Sequence, residues 1–156
     1  MKANNLLEEI KTNIKDYNID YLKNKVTDDR YKDPLTKRLA KYNSEAYDEI
    51  FQLEISEDFE ISDKTIKNIK EDIDYYFSRY NPHDEENQNL TRNLCLYFAL
   101  ISKKPLHPFG LNPKKDGVYK YNDNYFCKGK SKYIKEHKSL CRYCICKKAP
   151  FEHLFL

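Results

Sequence analysis

Apolar residues recur at alternating three- and four-residue steps in the first part of the chain, which predicts an amphipathic helix. The positions are Leu7, Ile10, Ile14, Tyr17 and Tyr21. This spacing follows the 3.6 residues of a helical turn, so these side chains share one face. The pattern predicts a first helix over residues 5–24, followed by a charged linker over 26–32.

The second predicted helix has a clear start signal in Asp33-Pro34. An Asp side chain can accept a hydrogen bond from a free N–H group of the first turn, and Pro at the first helical position has no N–H to leave unpaired. We predict helix over residues 34–55. Its apolar positions are Leu35, Leu39, Tyr42, Ala46, Ile50 and Leu53.

Two further helices are predicted before residue 105. The third begins near Ser62 or Asp63 and ends at Asn81-Pro82, because Pro disfavours the helical conformation of the residue before it. The fourth ends at Pro105. Its segment 94–101 is apolar nearly all round, so we expect this helix to be the most buried of the four.

The pattern changes from helical to strand-like after Pro105. Aromatic strand formers flank Asn122-Asp123-Asn124, and Asn and Asp tolerate the positive φ of tight turns, which predicts a β-hairpin over residues 117–127. The predicted fold is mainly α (α+β): about four N-terminal helices with a small C-terminal β-hairpin and a Cys-x2-Cys zinc knuckle. We predict a single domain over 1–156, with a helical scaffold (1–104) and a C-terminal module (105–156).

Length and hydropathy place this chain among cytoplasmic proteins. Its 156 residues suffice for a core without disulfides. The N-terminal segment contains Glu8 and Glu9 and has no apolar signal core, and the longest apolar run, 94–101, is too short to span a bilayer. In the reducing cytosol, five cysteines are expected to be metal ligands or free thiols.

The net charge of +3 is unevenly distributed. Residues 1–104 carry 17 Lys and Arg against 21 Asp and Glu, whereas residues 105–156 carry 11 against 4. A polyanion such as nucleic acid is therefore a candidate partner, although a solvated basic face is the simpler interpretation. The possible nucleic-acid contacts are Lys128, Lys130, Lys132, Lys135, Arg142, Tyr143 and Lys147.

The cysteines of the C-terminal module have the spacing of a metal site. Cys141-x2-Cys144 can turn two thiolates toward one metal, and Cys127 at the end of the hairpin can supply a third ligand. His107, Cys146 and His137 are candidates for the fourth. We favour structural zinc over an iron–sulfur centre or free thiols.

Other chemical groups have simpler structural interpretations. Cys95 lies on the apolar face of the fourth helix and is expected to pack in the core. The acidic segment 83–86 follows Asn81-Pro82 at a helix start, where carboxylates are favoured by the helix dipole. With three glycines, the chain has no phosphate-binding loop or nucleophile elbow, so we assign no catalytic residue, and the sequence favours a non-enzymatic role without deciding it.

Three short motifs carry a resemblance to a known family. They are Lys104-Pro105-Leu106-His107-Pro108-Phe109-Gly110, Tyr125-Phe126-Cys127 and Leu140-Cys141-Arg142-Tyr143-Cys144. Together they resemble the C-terminal signature of an uncharacterised family of methanogenic archaea, domain of unknown function 2115 (uncharacterised protein family 0305). The chain departs from that signature at Lys128-Gly129 and in the loop after Gly110.

The resemblance implies a ligand set and a lineage but no reaction. The residues that match the signature are His107, Cys127, Cys141 and Cys144, with Cys146 outside it as the alternative ligand. We therefore expect a Cys3His zinc protein that acts as a binding or scaffold module. Nucleic-acid binding through the basic knuckle and an enzyme with an open zinc position are the alternatives. The terminal segment 151–156 is expected to dock on the helices.

Overall fold

The first predicted helix forms as two helices. In a computed structural model, which describes residues 1–109, 117–133, 136 and 139–155, α1 spans Ala3–Ile14 and α2 spans Ile19–Thr27. Side chains from other helices satisfy the free carbonyls at the end of α1: the Tyr47 hydroxyl donates to the oxygen of Ile14 at 3.2 Å, and the Asn89 amide donates to that of Asn13 at 2.7 Å. The prediction of one continuous helix was wrong because these distant partners stabilise the break.

The next two helices form close to the predicted positions. α3 spans Pro34–Gln52, and the Asp33 carboxylate accepts a hydrogen bond from the N–H of Leu35 at 3.0 Å. α4 spans Asp63–Tyr80, and the Ser62 hydroxyl accepts one from the N–H of Thr65 at 3.3 Å. Leu35, however, is 62% exposed, so the apolar face of α3 begins later than its sequence pattern indicates.

The fourth predicted helix changes geometry halfway along. α5 spans Glu85–Leu96 and continues as a π-helix over Tyr97–Ser102, which ends at Lys103 in the left-handed conformation (φ 56°). The Asp84 carboxylate accepts a hydrogen bond from the N–H of Asn87, so the acidic segment 83–86 is part of a helix start, as predicted. Most side chains of 94–101 are buried in the core, in agreement with the sequence pattern.

The predicted hairpin is part of a three-stranded sheet. β1 (Val118–Tyr121) pairs antiparallel with β2 (Asn124–Cys127) through a turn in which Asn122 and Asp123 have positive φ. β3 (Lys147–Lys148) pairs parallel with β2. A short helix, α6 (Lys130–Tyr133), follows the hairpin, and 3-10 helices span Leu140–Arg142 and Phe151–Phe155. The observed architecture is mainly α with some β, as predicted.

The last 3-10 helix places His153 on the sheet. This side chain is 8% exposed, its ring lies 4.6 Å from that of Tyr121 and 5.1 Å from that of Phe126, and its Nδ1 is 2.5 Å from the Tyr119 hydroxyl oxygen. Docking of the terminal segment on the helices was therefore wrong for His153, because the aromatic face of the sheet offers tilted and edge-on ring contacts and a hydrogen bond. In the part of the chain that the structure describes, no helix has the length and apolar character needed to cross a membrane.

Two leucines that both lie in helices differ in burial, so substituting each one distinguishes the effect of core packing from that of a surface helical position. Leu6 in α1 is fully buried, whereas Leu35 in α3 is 62% exposed. We expect Leu6→Ala to lower the free energy of unfolding by about 2–5 kcal/mol, because it leaves a cavity in the core. The same change at Leu35 should alter it by no more than about 0.5 kcal/mol. Urea unfolding of both variants measures the difference, and equal losses would contradict this core assignment.

Candidate functional site

The cysteines of the C-terminal module line a cavity between that module and the α4–α5 pair. Its volume is about 990 Å³. The walls include every described residue that the sequence predicts as a metal ligand, together with the alternative ligand: His107, Cys127, Cys141, Cys144 and Cys146. The fold thus brings residues from separate chain segments to one surface.

The segment that carries His107 is held between the helices and the sheet. The Tyr42 hydroxyl donates a hydrogen bond to the oxygen of Pro105 at 2.6 Å. Phe109 packs edge-on against Tyr42 and Tyr125, with ring centroids 6.0 and 4.8 Å apart. His107 itself is exposed beside the cavity. Its position is therefore determined by neighbours on both sides of the segment.

Cys127 ends β2 and lies in a turn that presents its sulfur to backbone donors. The N–H groups of Gly129 and Lys130 both donate to this sulfur, while partial burial raises the pKa of the thiol. Backbone N–H donors of this kind stabilise a thiolate. The turn residues Lys128-Gly129, where this chain departs from the family signature, therefore still place a donor on the cysteine.

The Cys141-x2-Cys144 segment forms a tight turn. The N–H groups of Tyr143 and Cys144 both donate to the oxygen of Leu140, at 2.9 and 3.3 Å, and the Ser139 hydroxyl accepts from the N–H of Cys141 at 3.2 Å. We call residues 141–144 the knuckle. Its hydrogen bonds fix the backbone on which both cysteines are carried.

The Cys144 sulfur has the most donors of the group. It accepts hydrogen bonds from the thiol of Cys146 and from the N–H groups of Leu106 and Cys146. The contact with Cys146 and the two N–H groups hold the pKa of Cys144 well below its usual range, and the same contact raises the pKa of the buried Cys146. The donor Leu106 precedes His107, so the His107 segment and the knuckle touch at this sulfur.

Sequence reasoning missed the residue that positions the knuckle. Asp72 on α4 is 7% exposed, and its carboxylate accepts hydrogen bonds from the guanidinium of Arg142 and, at 3.1 Å, from the hydroxyl of Tyr143. Both partners are the intervening residues of Cys-x2-Cys. An Asp in a helix 70 residues before its partner gives no local signal, although its position next to buried Ile73 is unusual for a charge.

Lys130 joins the knuckle to the hairpin. Its ammonium donates to the backbone oxygens of Cys144 and Cys146, at 2.7 and 2.5 Å. Three of the predicted nucleic-acid contacts, Lys130, Arg142 and Tyr143, thus make bonds within the protein, whereas Lys147 is exposed and Lys128 is half-buried. Lys135 and His137 lie outside the described residues, as does the side chain of Lys132.

The donor atoms suit zinc, but they are not arranged around one point. Among residues 1–109, 117–133, 136 and 139–155, no three His, Cys, Asp or Glu side chains are placed to hold one metal ion. The surroundings of Cys144 lower its pKa and favour a thiolate, whereas burial raises the pKa of Cys127 and outweighs the N–H groups beside it. Cys95 is partly buried against the core, as predicted, and burial raises its pKa to about 12.

Removal of the Asp72 carboxylate should release the knuckle from α4. Asp72→Ala deletes two hydrogen bonds to a buried charge, and we expect the free energy of unfolding to fall by about 1.5–3 kcal/mol. Asp48→Ala is the matched control, since Asp48 pairs with Lys23 on the surface, and should cost about 1 kcal/mol or less. Amide hydrogen exchange at residues 141–144 should accelerate only in the first variant. Unchanged exchange there would contradict the positioning role.

Comparison with known proteins identifies the lineage. The chain is 33% identical over 159 residues to UPF0305 protein MJ0646 of Methanocaldococcus jannaschii. This alignment covers 94% of this chain and 96% of the relative. The chain is 28% identical over 82 residues to a UPF0305 protein of Methanothermobacter thermautotrophicus, covering 49% of this chain and 50% of the relative. No solved structure matches. The model of the family described as "Uncharacterized protein conserved in archaea (DUF2115)" matches residues 2–149, and the chain therefore belongs to this archaeal family.

Proposed function

We propose that the protein is a cytoplasmic zinc-binding module in which one metal ion holds the C-terminal segments together. The ligands are His107, Cys127, Cys141 and Cys144. The observation that carries the proposal is that these four residues, which come from separate segments of the chain, line one cavity. Backbone hydrogen bonds to ligand sulfurs, such as those on Cys127 and Cys144, orient the ligands around a metal.

The surroundings of these sulfurs also suit a site with negative charge. A zinc ion with three thiolates carries a net charge of about −1, which a nearby cation offsets. The Lys130 ammonium is held beside the cysteines by the oxygens of Cys144 and Cys146. In the proposed site its charge stabilises the thiolate form of the ligands.

The fourth ligand is assigned to His107 because its segment already touches the knuckle. His107 is exposed and lines the same cavity as Cys127, Cys141 and Cys144, so its ring is available on that surface. Cys146 is the alternative ligand, since it lines the same cavity as the other cysteines of the module. A bound zinc would join the hairpin, the knuckle and the His107 segment, and this stabilisation supports a role as a binding or scaffold module.

One observation favours a second function. An enzyme with an open zinc position needs a cleft beside its metal, and the cavity of about 990 Å³ borders the five candidate ligands that the structure describes. Nucleic-acid binding has less support, because Lys130, Arg142 and Tyr143 make bonds within the protein. We therefore place it third.

Metal analysis tests the proposal. Protein purified without added metal should contain about one zinc per chain, and treatment with a chelator should lower the free energy of unfolding. The expected loss is about 2.7 kcal/mol relative to protein in free zinc at a hundred times the dissociation constant. Absence of zinc together with unchanged stability after chelation would refute the site, and iron with acid-labile sulfide would replace zinc with an iron–sulfur centre.

Single substitutions of Cys144, His107 and Cys146 test the ligand set. Cys144→Ser and His107→Ala should lose zinc, whereas Cys146→Ser should retain it, because only the first two remove proposed ligands. Cobalt substitution provides the readout, since the absorption of tetrahedral Co²⁺ reports the number of thiolate ligands. If Cys146→Ser loses the metal and His107→Ala keeps it, Cys146 is the fourth ligand.

A further inference from the structure

The helices contribute an aromatic side to the cavity that the cysteines border. We call the lining residues of α3, α4, α5 and the π-helix the helical wall. Tyr76 and Tyr80 belong to it, with ring centroids 5.0 Å apart, and they are 54% and 66% exposed. Phe77 packs edge-on against Tyr76 at 5.6 Å, and Phe98 adds a further ring to the wall. Exposed rings beside a cavity leave faces on which a planar ligand can stack.

Polar side chains on the same wall can fix the orientation of a ligand. Asn43 on α3 and Thr91 on α5 both line the cavity and are half-buried, and no hydrogen bond joins either side chain to another residue that the structure describes. The Asn43 amide offers a donor and an acceptor side by side. This arrangement matches the edge of adenine, which presents an amino group next to a ring nitrogen.

The charged groups of the lining favour a ligand without charge. The Asp72 carboxylate is bound by the knuckle, and the Lys130 ammonium is held by two backbone oxygens. Glu136 is exposed and adds a negative charge to the lining, while His107 belongs to the proposed metal site. Among the described lining residues, no Lys or Arg is therefore left to pair with a phosphate group.

The size of the cavity suits a small organic molecule. Its volume of about 990 Å³ lies at the upper end of the range for small-molecule sites, which are mostly apolar with a few polar groups. We propose that the helical wall binds an uncharged purine base or nucleoside. The base stacks on Tyr76 and Tyr80, and the Asn43 amide pairs with its polar edge. This binding goes beyond the proposed zinc module and does not depend on its metal.

Titration of the full chain with adenosine tests the proposal. Isothermal calorimetry should show saturable binding, both after chelation and after addition of zinc. Adenosine monophosphate should bind more weakly, because its phosphate meets the Glu136 carboxylate and finds no free Lys or Arg in the described lining. Cyclohexanol, which has a saturated ring, should not displace adenosine. Absence of adenosine binding in both forms would overturn the proposal, as would tighter binding of the monophosphate or displacement by cyclohexanol.

Tyrosine variants test the stacking surface. Tyr76→Ala should weaken adenosine binding by roughly five- to 150-fold, the range for loss of one ring that stacks on a base. Tyr76→Phe keeps the ring and should bind as the wild type does. Tyr21→Ala is the matched control, because Tyr21 is also 54% exposed but lies on α2 outside the cavity lining. Equal weakening by Tyr21→Ala and Tyr76→Ala would contradict stacking on the helical wall.

An analogue of adenosine tests the role of Asn43. Purine riboside lacks the amino group of adenosine, so the wild type should bind it more weakly. In Asn43→Ala this difference should disappear, and circular dichroism should show an unchanged helix content. If the variant still prefers adenosine as strongly as the wild type does, Asn43 does not read the edge of the base and the proposed orientation is wrong.

The zinc measurement is independent of this test. Protein that retains no zinc but binds adenosine refutes only the metal site. Protein that retains zinc but binds no adenosine refutes only the purine site.

Discussion

The arrangement of the C-terminal module depends on the buried carboxylate of Asp72. A charge in this position is costly unless it is paired and hydrogen-bonded, and its two described donors, Arg142 and Tyr143, come from the knuckle. The cost of leaving the carboxylate unpaired is what holds the knuckle on α4. Because Cys141 and Cys144 flank these donors, the helical scaffold determines where the two sulfurs lie.

A second set of polar contacts transmits this position to the rest of the site. Lys130 binds the backbone oxygens of Cys144 and Cys146, and the Cys144 sulfur receives the N–H of Leu106. The segment that contains Leu106 is also held to α3, because the Tyr42 hydroxyl donates to the oxygen of Pro105. The cysteine surface is thus connected by hydrogen bonds between separate segments, and Leu106 and Tyr143 also pack against the hydrophobic core.

Local signals in the sequence predict most of the helices and the hairpin. They predict few of the contacts between segments that are distant in the sequence. Helix caps and turn residues affect only neighbouring positions, so their effects could be predicted from the sequence. This holds for Asp33-Pro34 and Ser62 at helix starts and for Asn122-Asp123 in the hairpin turn. The break after Ile14 could not be, because Tyr47 and Asn89 stabilise it from other helices. For the site, the cysteine spacing and the family resemblance predicted a group of cysteines, and these residues line one cavity in the structure. Asp72 and the contact between Cys146 and Cys144 arise from folding and have no local pattern.

The position of β3 gives two basic residues of the module a role in opposing edge-to-edge sheet pairing. The order of the described strands is β1-β2-β3, so the two-residue strand Lys147–Lys148 lies at an edge of the sheet that they form, and both lysines are exposed. An open edge can pair with the sheet of another molecule, and short strands with lysines oppose such pairing through charge repulsion and the cost of desolvation. Part of the positive charge that suggests a polyanion partner therefore has another explanation, which is that these two lysines oppose pairing of the sheet edge.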